Sequence, residues 1–186
     1  AIFLRVRCGI PVVLMGECGC GKTYTMSYIC EWMKVELLTL DVHGGTTELD
    51  ILAVFDKAHG ILAEGLCDNI FVFLDEINTC NHMGLITEAI CRRSLNGIRL
   101  HDGIHVLAAL NPYRRRPPGK GDTPGLVFQM HGQAGTAPDP MSSLVYRVHP
   151  VPKTLRDFVF DFGALSADVE ALYVDSMVQA GIEGCS

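Results

Sequence analysis

The run Gly16-Glu17-Cys18-Gly19-Cys20-Gly21-Lys22-Thr23, entered from the apolar segment Pro11-Val12-Val13-Leu14-Met15, constrains the fold more tightly than any other stretch of the chain. It satisfies G-x-x-x-x-G-K-[ST] at each specified position and lies between a strand-like run and a helix-like one. The spacing has a chemical reason. Glycines let the loop curl until successive backbone N–H groups point inward at phosphate oxygens, and the following helix adds its positive end. In such a loop Lys22 reaches the β- and γ-phosphates and the Thr23 hydroxyl ligates Mg²⁺. A strand that feeds a helix through this loop calls for an α/β fold with a parallel sheet.

The helix after the loop is predicted from Met26, Ile29, Cys30 and Met33 at helical spacing, which are core positions. Glu36 to Val42 reads as a second strand, closed by His43-Gly44-Gly45-Thr46-Thr47. His43 either touches a ligand or neighbour or, more simply, hydrogen-bonds its own loop. Thr46 or Thr47 is expected to cap a helix running to about Glu64, with Glu48 and Asp50 favourable in its first turn.

Asn69-Ile70-Phe71-Val72-Phe73-Leu74-Asp75-Glu76 is the second informative stretch. An unbroken apolar run is the pattern of a parallel strand buried on both faces. It ends in adjacent carboxylates, which are costly except at a strand's carboxyl end, where α/β folds hold their ligands. With the phosphate loop in place, Asp75 reads as a Mg²⁺ ligand, directly or through water. Glu76 reads as the base that polarises an attacking water.

Gly84 to Leu95 is predicted helical, followed by turns at Asn96-Gly97 and Asp102-Gly103. Ile104 to Leu110 is a further buried strand, ending at Asn111. That asparagine either orients water near the γ-phosphate or caps the turn before Pro112. Residues 112–141 have loop composition and are expected to form a flexible insertion, with a short helical piece around Leu126 to Met130. Ser143 to Pro150 reads as a fifth strand. Beyond Lys153 the spacing of Leu155, Phe158, Val159 and Phe162, and then of Ala167 to Ala180, is predicted helical.

Composition narrows the partners. A net charge of −6 argues against nucleic acid, since phosphate-backbone binders present a basic face. The basic run Arg114-Arg115-Arg116 is expected in a solvated loop. No apolar run approaches the roughly 20 residues of a membrane span. Ala1-Ile2-Phe3-Leu4-Arg5 does not resemble a signal peptide, and without an initiator Met the chain reads as a fragment of something longer. The 8 cysteines lack C-x-x-C spacing, and reduced thiols in a cytoplasmic protein are the economical reading. Cys80 and His82 lack a second pair that would complete a zinc site.

Strands alternating with helices, the loop of Gly16 to Thr23, Asp75-Glu76 after one strand and Asn111 after another together resemble an AAA+ ATPase module. The chain is similar in particular to modules of the mysterin-like family of giant AAA+ ring-finger E3 ubiquitin ligases. The residues that carry this resemblance are Val42-His43-Gly44-Gly45-Thr46-Thr47, Phe73-Leu74-Asp75-Glu76-Ile77-Asn78-Thr79, Ala109-Leu110-Asn111-Pro112-Tyr113-Arg114 and Leu144-Val145-Tyr146-Arg147-Val148-His149-Pro150-Val151-Pro152. Phe160-Asp161-Phe162-Gly163-Ala164-Leu165-Ser166 resembles the entry to that family's lid.

The resemblance implies a P-loop NTPase α/β core over 1–152, with a parallel five-stranded sheet in the order 5-1-4-3-2, and part of a helical lid over 153–186. It implies that Gly16 to Tyr24 (the Walker A stretch) and Asp75 (the Walker B aspartate) bind Mg·ATP, with Thr23 and Asp75 on the metal. Glu76 is implied as the catalytic base and Asn111 as sensor 1. Arg147 is either an arginine finger for a neighbouring unit or an ordinary strand arginine. Expected partners are neighbouring AAA+ units and, through other domains of a parent ligase, the ubiquitin machinery. The loop of His43 to Thr47 lacks the aromatic that grips a threaded polypeptide in AAA+ pores, so a conformational role is expected rather than pulling. Hydrolysis is the leading reading and a non-hydrolysing ATP switch the alternative.

Overall fold

The computed structural model describes residues 2–115, 141, 144–164 and 166–183. Its centre is a five-stranded, all-parallel sheet of β1 (Val12–Gly16), β2 (Glu36–Asp41), β3 (Ile70–Asp75), β6 (Ile104–Leu110) and β7 (Val159–Gly163), in the order β2-β3-β6-β1-β7. Counting only these strands along the chain, that is the expected order 5-1-4-3-2. The helices are α1 (Ile2–Arg7), α2 (Lys22–Met33), α3 (Glu48–Ala63), α4 (Met83–Arg92), α5 (Lys153–Arg156) and α6 (Ala167–Glu183).

The apolar run of β3 explains how the layers form. Ile70, Val72 and Leu74 point into a core shared with Ile51 and Phe55 of α3 and Ile86 and Ala89 of α4. Phe71 and Phe73 point the other way, into a core with Met26 and Cys30 of α2. A strand with helices on both faces has no use for polar residues until it ends, and β3 stays buried from Ile70 to Leu74. Removing either phenylalanine ring would cost roughly 3–5 kcal/mol.

α3 starts where a capping box fixes it. Asp50 N donates to Thr47 Oγ1 at 3.3 Å, and Thr47 N donates back to Asp50 Oδ2 at 2.8 Å. α4 is shorter than the helix expected to reach Leu95. Arg93 turns left-handed at φ 53°, and Ser94–Leu95 (β4) pairs antiparallel with Ile98–Arg99 (β5). Asn96 and Gly97, at φ 50° and 78°, make the two-residue turn with positive φ at both centres that suits the strands' twist.

The fifth sheet strand is not Ser143 to Pro150, as expected, but β7, where Phe158, Val159 and Phe162 had the spacing of a helix. The amides around 145–149 are committed elsewhere: Val145 N donates to Arg114 O at 2.8 Å and His149 N to Asn78 O at 2.7 Å. Pro150 and Pro152 have no N–H to offer a neighbouring strand. Leu144 instead makes an isolated antiparallel bridge with Arg115. In β7, Val159 packs on one face of the sheet and Phe160 and Phe162 pack against the α2 side. A short apolar run of this kind fits strand or helix by spacing alone. The helical piece expected around Leu126 to Met130 lies outside the described residues, as does most of the 112–141 segment.

Because all five strands run the same way, the loop after β1, Asp75 and Glu76 after β3, and Asn111 after β6 emerge at one edge of the sheet.

Candidate functional site

The loop between β1 and α2 takes its shape from its glycines. Gly19 and Gly21 hold φ of 80° and 88°, left-handed values that favour glycine. At Gly16 a Cβ would lie 2.8 Å from Cys20 Sγ and 3.1 Å from Phe162 Cβ, so the packing of β7 leaves no room for one. No side chain caps the N-terminus of α2, which opens toward the loop.

Lys22 is 6% exposed. Its ammonium donates to Gly16 O at 2.8 Å and Glu17 O at 2.9 Å, with Cys20 Sγ at 3.9 Å. A buried ammonium needs such partners, and here the loop's own carbonyls supply them. The Thr23 hydroxyl donates to Asp75 Oδ2, and the Glu76 amide donates to Asp75 Oδ1 at 2.9 Å. The Asp75 carboxylate is thus oriented from both sides.

Glu76 sits in the left-handed region at φ 53°, ψ 37°. For a non-glycine residue this costs about 1 kcal/mol and persists only where surroundings enforce it. They do so through Thr79, whose amide donates to Glu76 O at 3.0 Å and whose hydroxyl lies 2.8 Å from both Glu76 O and Val42 O. The turned backbone aims the Glu76 carboxylate at Asn111, whose Nδ2 donates to Oε1 at 3.0 Å. Cys18 Sγ completes the group, 3.8 Å from Glu76 Oε1 and 3.7 Å from Asn111 Oδ1. Burial, and then the negative charge of Glu76, push the Cys18 thiol's pKa up.

The structure therefore brings Cys18, Gly19, Gly21, Lys22, Thr23, Tyr24, Asp75 and Glu76 around one cleft of about 290 Å³. Gly16, Glu17 and Cys20 stand behind it as the partners of Lys22, and Asn111 reaches it through Glu76. Arg147 is different. It lies exposed on the segment between Leu144 and Pro150 and is not among the residues lining this cleft. His43 turns onto its own loop, its Nδ1 accepting from Gly45 N at 3.1 Å.

Sequence reasoning missed three residues. Tyr173 of α6 also lines the cleft. Arg114, expected in a solvated loop, pairs with Glu17 of the β1–α2 loop at 2.6 Å. The signal for it was its place three residues past Asn111, on a chain leaving the same sheet edge. Asn78 is wholly buried and hydrogen-bonds to the backbone of Asn111. A carboxamide three positions after Asp75, between the buried Ile77 and Cys80, was its signal. Cys80 is buried with its thiol toward Ile77 O, and His82 precedes α4 as its N-cap.

Comparison with known proteins finds that the family model described as the RNF213 AAA domain matches residues 1–114. The chain is 36% identical to the E3 ubiquitin-protein ligase RNF213 of Mus musculus, in an alignment that covers 100% of this chain and 4% of that protein. It is 35% identical to the E3 ubiquitin-protein ligase rnf213-beta of Danio rerio, over 96% of this chain and 4% of the relative. Identity to the RNF213 ligase of Homo sapiens is 34%, again over 100% of this chain and 4% of the relative. The chain thus spans about 4% of the length of the curated relatives it matches. No helix among the described residues is long and apolar enough to cross a membrane.

Proposed function

Since this chain belongs to the RNF213 AAA domain family, in which nucleotide binding is the general expectation, we propose that it binds and hydrolyses Mg·ATP as one AAA+ unit of a mysterin-like E3 ubiquitin ligase. On this reading nucleotide turnover changes the conformation of the larger protein, while ligase chemistry and contacts with the ubiquitin machinery belong to other domains. The observation that supports it is the convergence of Lys22, the Thr23–Asp75 pair and the Glu76–Asn111 pair on one cleft at the carboxyl edge of a parallel sheet.

Each group has a task its surroundings suit. Lys22 exchanges the carbonyls of Gly16 and Glu17 for β- and γ-phosphate oxygens, at little desolvation cost because its ammonium is already out of water. Loop amides and the open end of α2 hold the remaining phosphate charge. The donor set at Thr23 and Asp75, a hydroxyl against a carboxylate, has the hard-oxygen chemistry that Mg²⁺ takes. These two residues would hold the ion, which supplies charge neutralisation between phosphates when bound.

Glu76 takes the proton of the attacking water. Asn111 holds that carboxylate in place through one hydrogen bond. Arg147, exposed and not among the residues lining the chain's own cleft, suits a finger offered to a neighbouring unit's γ-phosphate. The α6 helix, with Tyr173 at the mouth of the cleft, is read as the start of the lid. Free thiols at Cys8, Cys18, Cys20, Cys30, Cys67, Cys80 and Cys91 suit a cytoplasmic setting.

Equilibrium binding of ATP to the full-length protein, wild type against Lys22→Ala, tests the site. Loss of about 100-fold or more in affinity is expected, because hydrogen bonds to ionised groups contribute about 1.5–3 kcal/mol each. Unchanged affinity would refute the assignment.

A further inference from the structure

The residue that joins the two halves of this site lies behind it. Asn78 is 0% exposed, in the 3₁₀ turn of Ile77–Thr79 that follows Glu76. Its side chain grips the backbone of Asn111 twice: Nδ2 donates to Asn111 O at 2.8 Å, and Oδ1 accepts from Asn111 N at 3.2 Å. Its own carbonyl accepts from His149 N at 2.7 Å. One buried residue thus holds the end of β6, where Asn111 sits, and the segment that carries Arg147 two positions before His149.

The pairing is chemically selective. An asparagine carboxamide presents a donor and an acceptor side by side, matching the N–H and C=O of a single residue at the end of a strand. Beyond its last ladder bond that residue has lost its strand partner, and Asn78 replaces it. β6 pairs with β1 as far as Met15↔Leu110 but with β3 only as far as Leu74↔Ala108, so on the side of Glu76 the ladder does not hold Asn111. The clamp does. With the Asn111 backbone fixed, its Nδ2 meets Glu76 Oε1, and the left-handed turn at Glu76 is held from the same 3₁₀ segment by Thr79.

We propose that Asn78 is a positioning residue for ATP hydrolysis. It sets Asn111 against Glu76, and its backbone carbonyl ties the same turn to the 145–149 segment. The proposal rests on the hydrolysis reading above. Asn78 touches neither nucleotide nor the attacking water; it acts through Asn111 and the 145–149 backbone.

The test uses the full-length protein and measures ATP affinity and steady-state turnover separately for Asn78→Ala and Asn78→Asp. The alanine removes both side-chain hydrogen bonds, while the aspartate keeps the size and the acceptor but loses the donor. Since a small misplacement of a catalytic group costs up to about 100-fold, kcat is expected to fall by about 20-fold or more, with ATP affinity within about threefold of wild type. Added to Glu76→Gln, Asn78→Ala should change residual turnover by less than about twofold, as befits residues acting through one group. Wild-type kcat in either variant overturns the proposal. So does a parallel loss of ATP binding and turnover in both, which would make Asn78 a plain core support. If Glu76→Gln alone turns over like wild type, the hydrolysis reading fails first and the proposal with it; if only the Asn78 variants are silent, the reading stands and the proposal falls.

Discussion

Asn111 Nδ2 donates to Glu76 Oε1 at 3.0 Å, joining the carboxyl ends of two adjacent parallel strands beside the β1–α2 loop. The contact fixes one oxygen of the carboxylate. An unheld glutamate at this exposed edge would sample several rotamers, few of them aimed at a water beside the γ-phosphate. Asn111→Ala is therefore expected to lower kcat by about 100-fold while ATP affinity stays within about threefold, since the contact orients the base more than it binds ligand. Steady-state turnover alongside equilibrium ATP binding separates the two.

The Thr23 hydroxyl donates directly to the Asp75 carboxylate, and on the proposed reading this pair would hold the Mg²⁺ of Mg·ATP. In wild-type protein, chelation of Mg²⁺ should weaken ATP binding by about tenfold or more. In Thr23→Ala the affinity should be lower with Mg²⁺ and should respond to chelation by less than about threefold. Titrating ATP with and without a chelator gives the answer for both forms.

Helix α3 depends on its first turn. Thr47 and Asp50 satisfy each other's amides, and their hydrogen bonds hold the Asp50 carboxyl below its ordinary pKa. Thr47→Ala should destabilise the fold by about 1 kcal/mol without affecting ATP affinity. Urea denaturation reads the loss.

His105 carries a pH dependence. Its ring meets Phe71 edge to face at 5.1 Å, and its Nε2 lies 3.0 Å from Asn69 Oδ1. Burial, with Arg93 adding to it, lowers its pKa below the ordinary 6.5. The folded state therefore favours neutral imidazole, with Nε2–H donating to Asn69. A group with a depressed pKa stabilises above its unfolded pKa, and that stability is lost as pH falls from about 6.5 toward the folded pKa. The urea midpoint of wild type should fall between about pH 7 and pH 5, and by less in His105→Phe. An equal fall in both forms would assign the acid sensitivity to other groups.

Much of the site could be read before the fold was known, because its chemistry needs particular residues at short spacing. Gly16 to Thr23 and Asp75-Glu76 are local patterns, and β3 announced itself by an apolar run too long for a strand with a wet face. Their meeting at one edge then followed from a parallel sheet. What could not be read depended on contacts distant in sequence. Val159–Gly163 is too short for its period to separate strand from helix, and its place beside β1 rests on Phe160 and Phe162 finding the α2 side of the sheet. Arg114 pairs with Glu17 across 97 positions, and Asn78 clamps Asn111 across 33. Such pairings leave no local pattern behind them.

Hydrolysis at this cleft is tested most directly by Glu76→Gln in the full-length protein, with ATP binding and steady-state turnover measured on the same preparation. Glutamine keeps the shape and the contact from Asn111 but cannot take a proton. The account predicts ATP affinity within about threefold of wild type and turnover lower by about 100-fold or more. Retained binding with undiminished turnover would contradict it, and would leave this unit as an ATP-binding switch that does not hydrolyse.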